Sequence, residues 1–444
     1  MDRLPDALLE EILLRLPACG VVRCLAVCKS WRATVSAPTF RRALAERPAA
    51  ATVAKVVAAW AAYPGDGTNR DAVLIGSLFR GDVHEAPPCR FGLTLLAPTF
   101  SILDSQVLGS WDGVICIERG GPPMGSSRWI LPLCWLNIFR PREYVLWNPF
   151  TRACTVVSPP EYDDDDGGHG VIIGAYAHPD TMRFHLLHAV GKAATLGLFV
   201  PAVFRVWRVG DDDAAGGWRE IPMLDDADQV QGGEATRTIS IKMHSARSVS
   251  LHGNLHWLVR RASDRRLQVL VFEPARERFR LMEAPPAFQG KQEDLARSRI
   301  VALSNGKLCA VVIAPATSTM EIWALYDYHC SSLRSWRLTD RVSLVMPDRH
   351  DVSAAFTSAT QVEVAHGDAE GEEVMVRQDG RIDAYSLRRR VWSRLDVSRS
   401  DPYPMDVSLL AHRGSVVPHD VSFGEKSRLL QHTINIHGHR CYCL

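Results

Sequence analysis

The strongest concentration of reactive side chains lies in residues 437–443, which contain four potential metal ligands: His437, His439, Cys441 and Cys443. Imidazole and thiolate groups are typical zinc ligands, and Cys441-Tyr-Cys-Leu also has the outline of a prenylation signal. Tyr442 is a poor aliphatic position for that signal, and no polybasic segment precedes it. We therefore expect an unmodified tail that frays beyond a last strand at residues 429–436, which would close the fold.

Other candidate ligands lack the spacing that a metal requires. The acidic runs 163–166 and 211–213 lack the alternating ligands of a calcium loop, and glycine pairs follow both of them. We expect them to be flexible loops. His185 and His188 are three residues apart on a predicted strand, so they would point to opposite faces of a sheet. The sequence therefore predicts structural histidines, no metal site and no cofactor.

Catalytic motifs are missing from the sequence. It contains no Gly-x-Ser-x-Gly nucleophile turn, phosphate-binding loop, dinucleotide-binding fingerprint or His-Glu-x-x-His zinc motif. We therefore expect no catalytic residues and a protein that acts by binding.

The composition indicates a globular protein, with 46% hydrophobic and 23% charged residues. A net charge of +1 does not favour nucleic acid or a membrane surface as the main partner. The best basic cluster, residues 388–390 with Arg394, is expected to be a solvated turn. Scattered cysteines without a Cys-x-x-Cys pair indicate reduced thiols. Since no run approaches the roughly twenty apolar residues of a membrane span, we expect the cytoplasm, the nucleus or both.

The elements that position a binding function begin at the N-terminus. Between Leu8 and Leu16, six of nine positions are large and aliphatic, a wider stripe than the arc of about 100° on an ordinary surface helix. We predict a helix from Asp6 to about Arg15, because a proline at position 17 ends it. A second helical pattern begins after position 20 and continues until a proline at 38, and a short helix follows at residues 40–44. A helical module with so many apolar residues is typical of one side of a protein–protein interface.

These residues resemble the F-box. The resemblance is carried by Leu4-Pro5, by Leu16-Pro17 and by the run Val-Cys-Lys-Ser-Trp-Arg at residues 27–32. It implies that residues 1–46 fold as three helices and dock onto the Skp-type adaptor of a cullin–RING ubiquitin ligase. The residues that it places at the adaptor are Leu4, Pro5, Leu8, Leu9, Ile12, Leu13, Leu16, Pro17, Val21, Val22, Leu25, Val27, Cys28 and Trp31. Large side chains usually dominate an interface, so Leu8, Ile12 and Trp31 are the expected anchors.

From about Val53 the sequence changes to short apolar runs separated by Gly, Pro and Asp, which predicts an all-β region. Strands are expected at residues 114–117, 171–173, 267–272, 311–313 and 362–364. An aromatic position recurs at Trp147, Trp207, Phe272, Trp323 and Tyr385. A second position follows at Thr155, Trp218, Phe279, Trp336 and Trp392. Glycine turns precede a strand at Gly113, Gly253, Gly306 and Gly380.

A repeat of about 60 residues that holds two hairpins is typical of a propeller blade, and residues 47–444 would accommodate about six blades. Trp147-Asn-Pro-Phe-Thr-Arg, Gly253-Asn-Leu-His-Trp and Ser335-Trp336 resemble the F-box-associated, kelch-like domain of plant F-box proteins.

Together, the two resemblances imply a non-catalytic substrate-recognition subunit of an SCF-type ubiquitin ligase. In this interpretation, the F-box docks the Skp-type adaptor and, through it, the cullin, while the β-propeller binds a target protein. The sequence singles out no target-binding residue. The alternative is a ligand- or glycan-binding propeller that acts outside a ubiquitin ligase, and an enzyme built on the propeller is the third interpretation.

Overall fold

The computed structural model describes most of the regular secondary structure of the chain. The described ranges are 5–16, 18–45, 54–62, 72–77, 90–94, 105–119, 143–148, 154–160, 169–193, 198–210, 217–223, 239–242, 248–261, 264–288, 298–303, 306–314, 319–328, 335–344, 361–367, 371–378, 381–395 and 407–413. Within these ranges, α-helices lie between residues 6 and 45, and β-strands make up nearly all the remaining regular structure. The predicted division into a helical N-terminus and a β-rich remainder is therefore confirmed.

The N-terminal module has four helical segments within the described ranges, so the expected count of three is not confirmed. They are α1 (Asp6–Leu14), α2 (Ala18–Cys24), α3 (Lys29–Ser36) and α4 (Pro38–Ala45). The predicted continuous second helix is wrong because a turn after α2 interrupts it. The Cys28 Sγ caps α3 by accepting a hydrogen bond from the Trp31 backbone N–H, and the Arg32 side chain donates to the Leu25 carbonyl. Pro38 begins α4, where a proline is tolerated since the first N–H of a helix has no partner.

The first sheet joins the two ends of the β-rich region. Its strands are β1 (Ala54–Ala62), β2 (Ala72–Ser77), β3 (Arg90–Thr94) and β25 (Val407–Arg413), in the order β25-β1-β2-β3. Strand β25 pairs antiparallel with β1. Among the described residues, β25 is thus the strand that connects the late part of the chain to β1. The segment 429–436, which we expected to close the fold, lies outside the described residues.

The second sheet is a four-stranded antiparallel meander with β4 at one edge. Its strands are β4 (Ser105–Trp111), β5 (Val114–Arg119), β6 (Glu143–Trp147) and β7 (Cys154–Val157). The fourth and fifth sheets have the same topology. Their strands are β17 (Ser298–Ala302), β18 (Leu308–Ala314), β19 (Thr319–Leu325) and β20 (Trp336–Ser343), then β21 (Gln361–Gly367), β22 (Gly371–Gln378), β23 (Arg381–Ser386) and β24 (Val391–Leu395). All five strand positions predicted from apolar runs fall in strands of the structure.

The third sheet contains nine strands because a short strand joins two meanders. The first meander is β8 (His169–Ala177), β9 (Phe184–Ala193), β10 (Leu198–Arg208) and β11 (Arg219–Ile221). The second meander is β13 (Val249–Leu251), β14 (Asn254–Arg261), β15 (Leu267–Glu273) and β16 (Arg278–Glu283). Strand β12 (Ile239–Lys242) pairs with β10 on one side and with β14 on the other.

The aromatic repeat marks equivalent strands of successive meanders. Trp147, Trp207, Phe272, Trp323 and Tyr385 all lie on the third strand of a meander. The second set lies on or directly before the fourth strand, and Phe272 faces Phe279 just as Tyr385 faces Trp392. In the fourth sheet, however, Leu325 and not Trp323 is paired with Trp336. The connection from β19 to β20 is longer than the one from β15 to β16, so the residue that faces Trp336 lies further along β19. A bulge between Ile322 and Trp323 shifts the register again on the side away from the turn.

Two of the predicted glycine turns are tight hairpins with positive φ at both central residues. Asp112 (φ 45°) and Gly113 (φ 80°) connect β4 to β5, and His252 (φ 52°) and Gly253 (φ 73°) connect β13 to β14. This combination is typical of a type I′ turn, which glycine adopts at low cost. Gly380 lies outside the described residues. It stands between the second and third strands of the fifth sheet, whereas Gly113, Gly253 and Gly306 stand between the first and second strands of their meanders.

The indole N–H groups of two repeat tryptophans bridge neighbouring sheets. Trp336 Nε1 donates to the Glu283 carbonyl oxygen at 2.9 Å, and Trp392 Nε1 donates to the Ser343 carbonyl oxygen at 3.1 Å. In both cases the donor lies on the fourth strand of one meander, and the acceptor ends the fourth strand of the preceding meander. The same bond therefore fixes the spacing between the third and fourth sheets and between the fourth and fifth sheets.

Replacement of Trp336 by Phe should remove this donor while retaining most of the buried ring. Trp336 is buried, so the Glu283 carbonyl would lose its partner, and we expect the free energy of unfolding to fall by about 1–2 kcal/mol. Urea unfolding followed by circular dichroism would measure this change. Leu338→Ala, at an exposed position of the same strand, should change stability by less than about 0.5 kcal/mol. An equal loss in both variants would contradict the role of the indole bond.

Candidate binding surfaces

The helical module has a closed core of its own. Leu9, Leu13, Val21 and Phe40 are at most 5% exposed and pack together with Val35. Leu9 and Leu13 lie one helical turn apart on α1, so they form the buried face of that helix. Leu14 and Leu16 pack against this core, whereas Leu8 and Ile12 are not part of it.

The other face of α1 carries large apolar side chains at the surface. Leu8 is 49% exposed and Ile12 is 46% exposed, and a separation of four residues places them side by side on the helix. Val27, in the turn between α2 and α3, is 59% exposed. Exposed aliphatic side chains that lie side by side, as Leu8 and Ile12 do, are typical of an interaction surface. We refer to Leu8, Ile12 and Val27, the exposed large aliphatic residues in the described part of the module, as its apolar face.

The structure divides the residues that the F-box resemblance placed at the adaptor. Three of them lie in the core of the module: Leu9, Leu13 and Val21. Three are half-buried and pack against this core: Leu16, Leu25 and Trp31. Five are exposed: Pro5, Leu8, Ile12, Val27 and Cys28. Leu4 and Pro17, together with the side chain of Val22, lie outside the described residues.

Trp31 lies at the edge of the module core and also takes part in the cap of α3. Its ring is half-buried against the core, and its backbone N–H donates to the Cys28 Sγ at 3.5 Å. This bond begins α3 at Lys29. A substitution of Trp31 would therefore affect both the surface and the packing of α3, whereas Leu8 and Ile12 can change without exposing the core.

A polar network joins the third sheet to the fourth. His256 is fully buried; its Nδ1 lies 3.0 Å from the Val249 carbonyl oxygen, and its Nε2 lies 2.7 Å from the Tyr328 hydroxyl. A carbonyl can only accept, so Nδ1 carries the proton, and Nε2 accepts from Tyr328. The Asn254 amide also donates to that hydroxyl at 3.0 Å. Burial lowers the pKa of His256 to about 4, and the neutral imidazole that the network requires is thereby favoured.

The motif Gly253-Asn-Leu-His-Trp, which carried part of the resemblance, thus has a structural role. Asn254 and His256 bind Tyr328 on the neighbouring sheet, and Trp257 Nε1 donates to the Ile173 carbonyl oxygen of β8 at 3.0 Å. This network could not be predicted from the sequence, because Tyr328 is 72 residues from His256 and has no motif of its own.

His185 and His188 have separate environments on β9, as predicted from their spacing. His185 stacks on Tyr176 with ring centroids 5.2 Å apart, and burial lowers its pKa to about 4. His188 is fully buried and contacts Trp218, with ring centroids 5.0 Å apart. Within the described ranges, no group of three or more His, Cys, Asp or Glu residues is arranged to hold a metal ion.

The structure describes only some of the residues to which the remaining sequence predictions refer. Arg388, Arg389 and Arg390 lie in the turn between β23 and β24 and are exposed, as expected for a solvated turn. The side chain of Arg394, the acidic runs 163–166 and 211–213, and residues 437–443 fall outside the described residues. Among the helices that the structure describes, none combines the length and apolar character needed to cross a membrane.

Acidification should destabilise the β-rich region before its carboxylates titrate fully. Because the pKa values of His185 and His256 are about 4 in the folded chain and 6.5 in their unperturbed state, the unfolded chain binds more protons between these values. Their contribution to stability is complete above about pH 6.5 and is lost as the pH falls towards 4. Urea unfolding at pH 7.5 and pH 5 would measure this loss. In His256→Asn the pH dependence should be smaller, and an unchanged dependence would contradict the assignment.

Comparison with known proteins identifies two domains. A model of the F-box domain matches residues 1–43, and a model of the F-box associated beta propeller domain matches residues 228–387. The second match begins before β12 and ends after β23, so it includes the second meander of the third sheet, the fourth sheet and most of the fifth. No curated protein matches the chain by sequence.

Several solved structures show a distant likeness. Prolyl oligopeptidase B from Galerina marginata, bound to a 25mer macrocyclization substrate, is 11% identical with a TM-score of 0.35 over 80% of this chain and 43% of its own. Apo AztD from Citrobacter koseri is 12% identical with a TM-score of 0.30, over 80% of this chain and 98% of its own. The α-L-arabinofuranosidase from Lactobacillus brevis is 11% identical with a TM-score of 0.33, over 70% of this chain and 92% of its own.

The chain spans less than half of the length of the Galerina marginata protein. These TM-scores are too low to carry an argument, so the assignment depends on the two domain matches and on the helical module and sheets described above. On that basis, the chain contains an F-box domain followed by an F-box associated β-propeller domain.

Proposed function

We propose that this protein is the substrate-recognition subunit of an SCF-type cullin–RING ubiquitin ligase. The combination of an F-box with an F-box associated propeller is typical of such non-catalytic subunits. In the proposal, the F-box binds a Skp-type adaptor, and through it the cullin, while the propeller binds a target protein. The observation that carries the proposal is the apolar face of Leu8, Ile12 and Val27, which stays exposed on a module whose core is already closed.

The burial of the F-box residues supports a division of their roles in this proposal. Leu9, Leu13 and Val21 are inside the module, so their role in the proposal is to hold α1 and α2 in place. Leu8, Ile12 and Val27 provide the contact, and burial of their exposed surface supplies its free energy at roughly 25 cal/mol per Å². Trp31 supports this surface from the edge of the core.

The mechanism that we propose is proximity. In this proposal the chain supplies two binding surfaces, so it would accelerate ubiquitin transfer by holding the target near the ligase. Tethering of this kind replaces a bimolecular encounter with a local concentration in the millimolar range for a short connection. Residues 1–46 and 47–444 are the proposed limits of the two parts, and the complex would act in the cytoplasm, the nucleus or both. The plant origin and kelch-like character that the resemblance implies stay predictions.

We also propose six blades for the propeller. The four four-stranded sheets supply four blades, and the two meanders that β12 joins supply two more. In support, strand β25 neighbours both β4 and β21, which are the first strands of the second and fifth sheets. Strand β17 likewise neighbours β13 and β21. First strands that contact each other in this way are expected to surround a common axis.

The docking proposal predicts the effect of acidic substitutions on the apolar face. A carboxylate at Leu8 or Ile12 would have to be desolvated at the interface, so the double variant Leu8→Glu/Ile12→Glu should bind the Skp-type adaptor at least about 100-fold more weakly. Co-purification and titration calorimetry with the adaptor would measure the loss.

The matched control is Val391→Glu, which makes the same kind of change at an aliphatic residue of β24. Val391 is 48% exposed, nearly the exposed fraction of Leu8. It should leave adaptor binding within about twofold of the unmodified chain. The far-ultraviolet circular dichroism of all variants should be unchanged, since no core residue is altered. Adaptor binding that survives in the double variant would refute the docking proposal and favour a propeller that binds its ligand outside a ubiquitin ligase.

A further inference from the structure

One end of the propeller carries an excess of arginine and lysine around an exposed tyrosine. The described residues of the turns β13–β14, β15–β16, β17–β18 and β19–β20 lie at this end. Asn254 binds Tyr328, the central guanidinium carbon of Arg280 lies 5.5 Å from the ring centroid of Tyr328, and the Lys307 ammonium lies 3.9 Å from the ring centroid of Tyr326. We call Arg276, Arg278, Arg280, Lys307, Tyr326 and Arg337 the basic patch.

Three arginines of the basic patch share a single carboxylate. Glu273 accepts hydrogen bonds from Arg278 Nε and Arg280 Nε, both at 3.0 Å, and the guanidinium of Arg276 lies 3.6 Å away. Burial opposes ionisation of Glu273, but these bonds and charges outweigh it and lower the pKa of its carboxyl. One negative charge therefore faces three positive charges, and Arg276 is 66% exposed.

The other half of the basic patch surrounds Tyr326. Tyr326 is 49% exposed, and the Lys307 ammonium and the central carbon of the Arg337 guanidinium lie 3.9 Å and 4.8 Å from its ring centroid. The Tyr326 backbone N–H donates to the Ser335 carbonyl oxygen at 2.9 Å, which extends the pairing of β19 with β20 and fixes the tyrosine in place. Cation–π contacts of this kind are worth about 0.5–1 kcal/mol at exposed sites and hold the cations near the surface.

The basic patch has an excess of two positive charges among the described residues of these turns and strand ends. Its five cations are accompanied by three carboxylates, Glu273, Glu277 and Asp327, whereas the whole chain has a net charge of only +1. Tyrosine and arginine are the residue types enriched at the energetically dominant points of protein interfaces. Since the cations are already held by Glu273 and by aromatic rings, a partner would lose less side-chain entropy in ordering them.

We propose that the basic patch binds an acidic segment of the target protein, an inference that rests on the target-binding role proposed above for the propeller. Carboxylates of the segment would pair with the outer cations of the patch, and its apolar atoms would cover the Tyr326 ring. A protein segment fits better than nucleic acid because Glu273 and Asp327 interrupt the patch, and phosphates, which follow every 1.7 Å or so along a duplex, would face both carboxylates.

The experiment uses the full chain and a fluorescein-labelled decapeptide of alternating glutamate and glycine, with binding followed by fluorescence anisotropy. The unmodified chain should bind this peptide with an affinity that falls as salt is added, and it should not bind the corresponding lysine peptide. Arg276→Glu/Arg337→Glu should weaken binding at least about tenfold, because two exposed cations are reversed.

The matched control is Arg265→Glu/Arg266→Glu, which makes the same change of charge in the β14–β15 connection at the opposite end of the meander. Arg266 is 68% exposed, as Arg276 is 66% exposed. The control should bind the glutamate peptide within about twofold of the unmodified chain. An equal loss in the control would show an effect of net charge alone and would overturn the proposal.

Other outcomes separate this proposal from the one on which it rests. Absence of binding to the glutamate peptide, or tighter binding of a ten-nucleotide oligothymidylate, would overturn the acidic-segment proposal. Adaptor binding is measured on the same preparations and should be unchanged in Arg276→Glu/Arg337→Glu. If Leu8→Glu/Ile12→Glu retains the adaptor while the unmodified chain binds the glutamate peptide, the docking proposal fails and the basic patch stands.

Discussion

The structure depends on contacts between successive sheets, because each four-stranded meander exposes two apolar faces and is marginal alone. Aromatic residues on the third and fourth strands fill the space between neighbours, and indole N–H groups bind the backbone of the preceding sheet. The Trp336–Glu283 and Trp392–Ser343 bonds have the same geometry one repeat apart. Such a directional bond fixes the position of one sheet against the next, while apolar contact alone would leave the sheets free to slide.

Both candidate binding surfaces lie above an interior whose packing is already complete. In the F-box module, Leu13 and Phe40 belong to the buried core, while Leu8 and Ile12 remain exposed. At the junction of the third and fourth sheets, His256 and Tyr328 satisfy each other below the surface, and the cations around Tyr326 remain at the surface. In both places a closed interior makes the exposed side chains available without loss of stability.

The sequence predicted the positions of the aromatic repeat, but it predicted the pairing register of the strands less well. The positions of Trp207, Phe272 and Tyr385 on equivalent strands follow from their spacing, since each repeat must bring an aromatic to the same interface. The bulge beside Trp323 could not be predicted, because one extra residue in a strand leaves no signal in an alternating pattern. The short β12 between two meanders, and the interruption between α2 and α3, were missed for a similar reason: they depend on which neighbours are available for hydrogen bonds.

The amino-acid sequence by itself determined the two-part organisation, the apolar excess of the N-terminal helices and the places of the glycine turns, all of which depend on residue types at short separation. Only the tertiary structure decided which half of the α1 stripe is exposed, because Leu9 and Leu13 are buried by residues from other helices. It also decided that Arg276, Arg280, Lys307 and Arg337 lie together, since these residues come from four separate strands and turns. Long-range packing sets both the exposure of the α1 side chains and the proximity of these cations. Neither can be inferred from the composition along the chain.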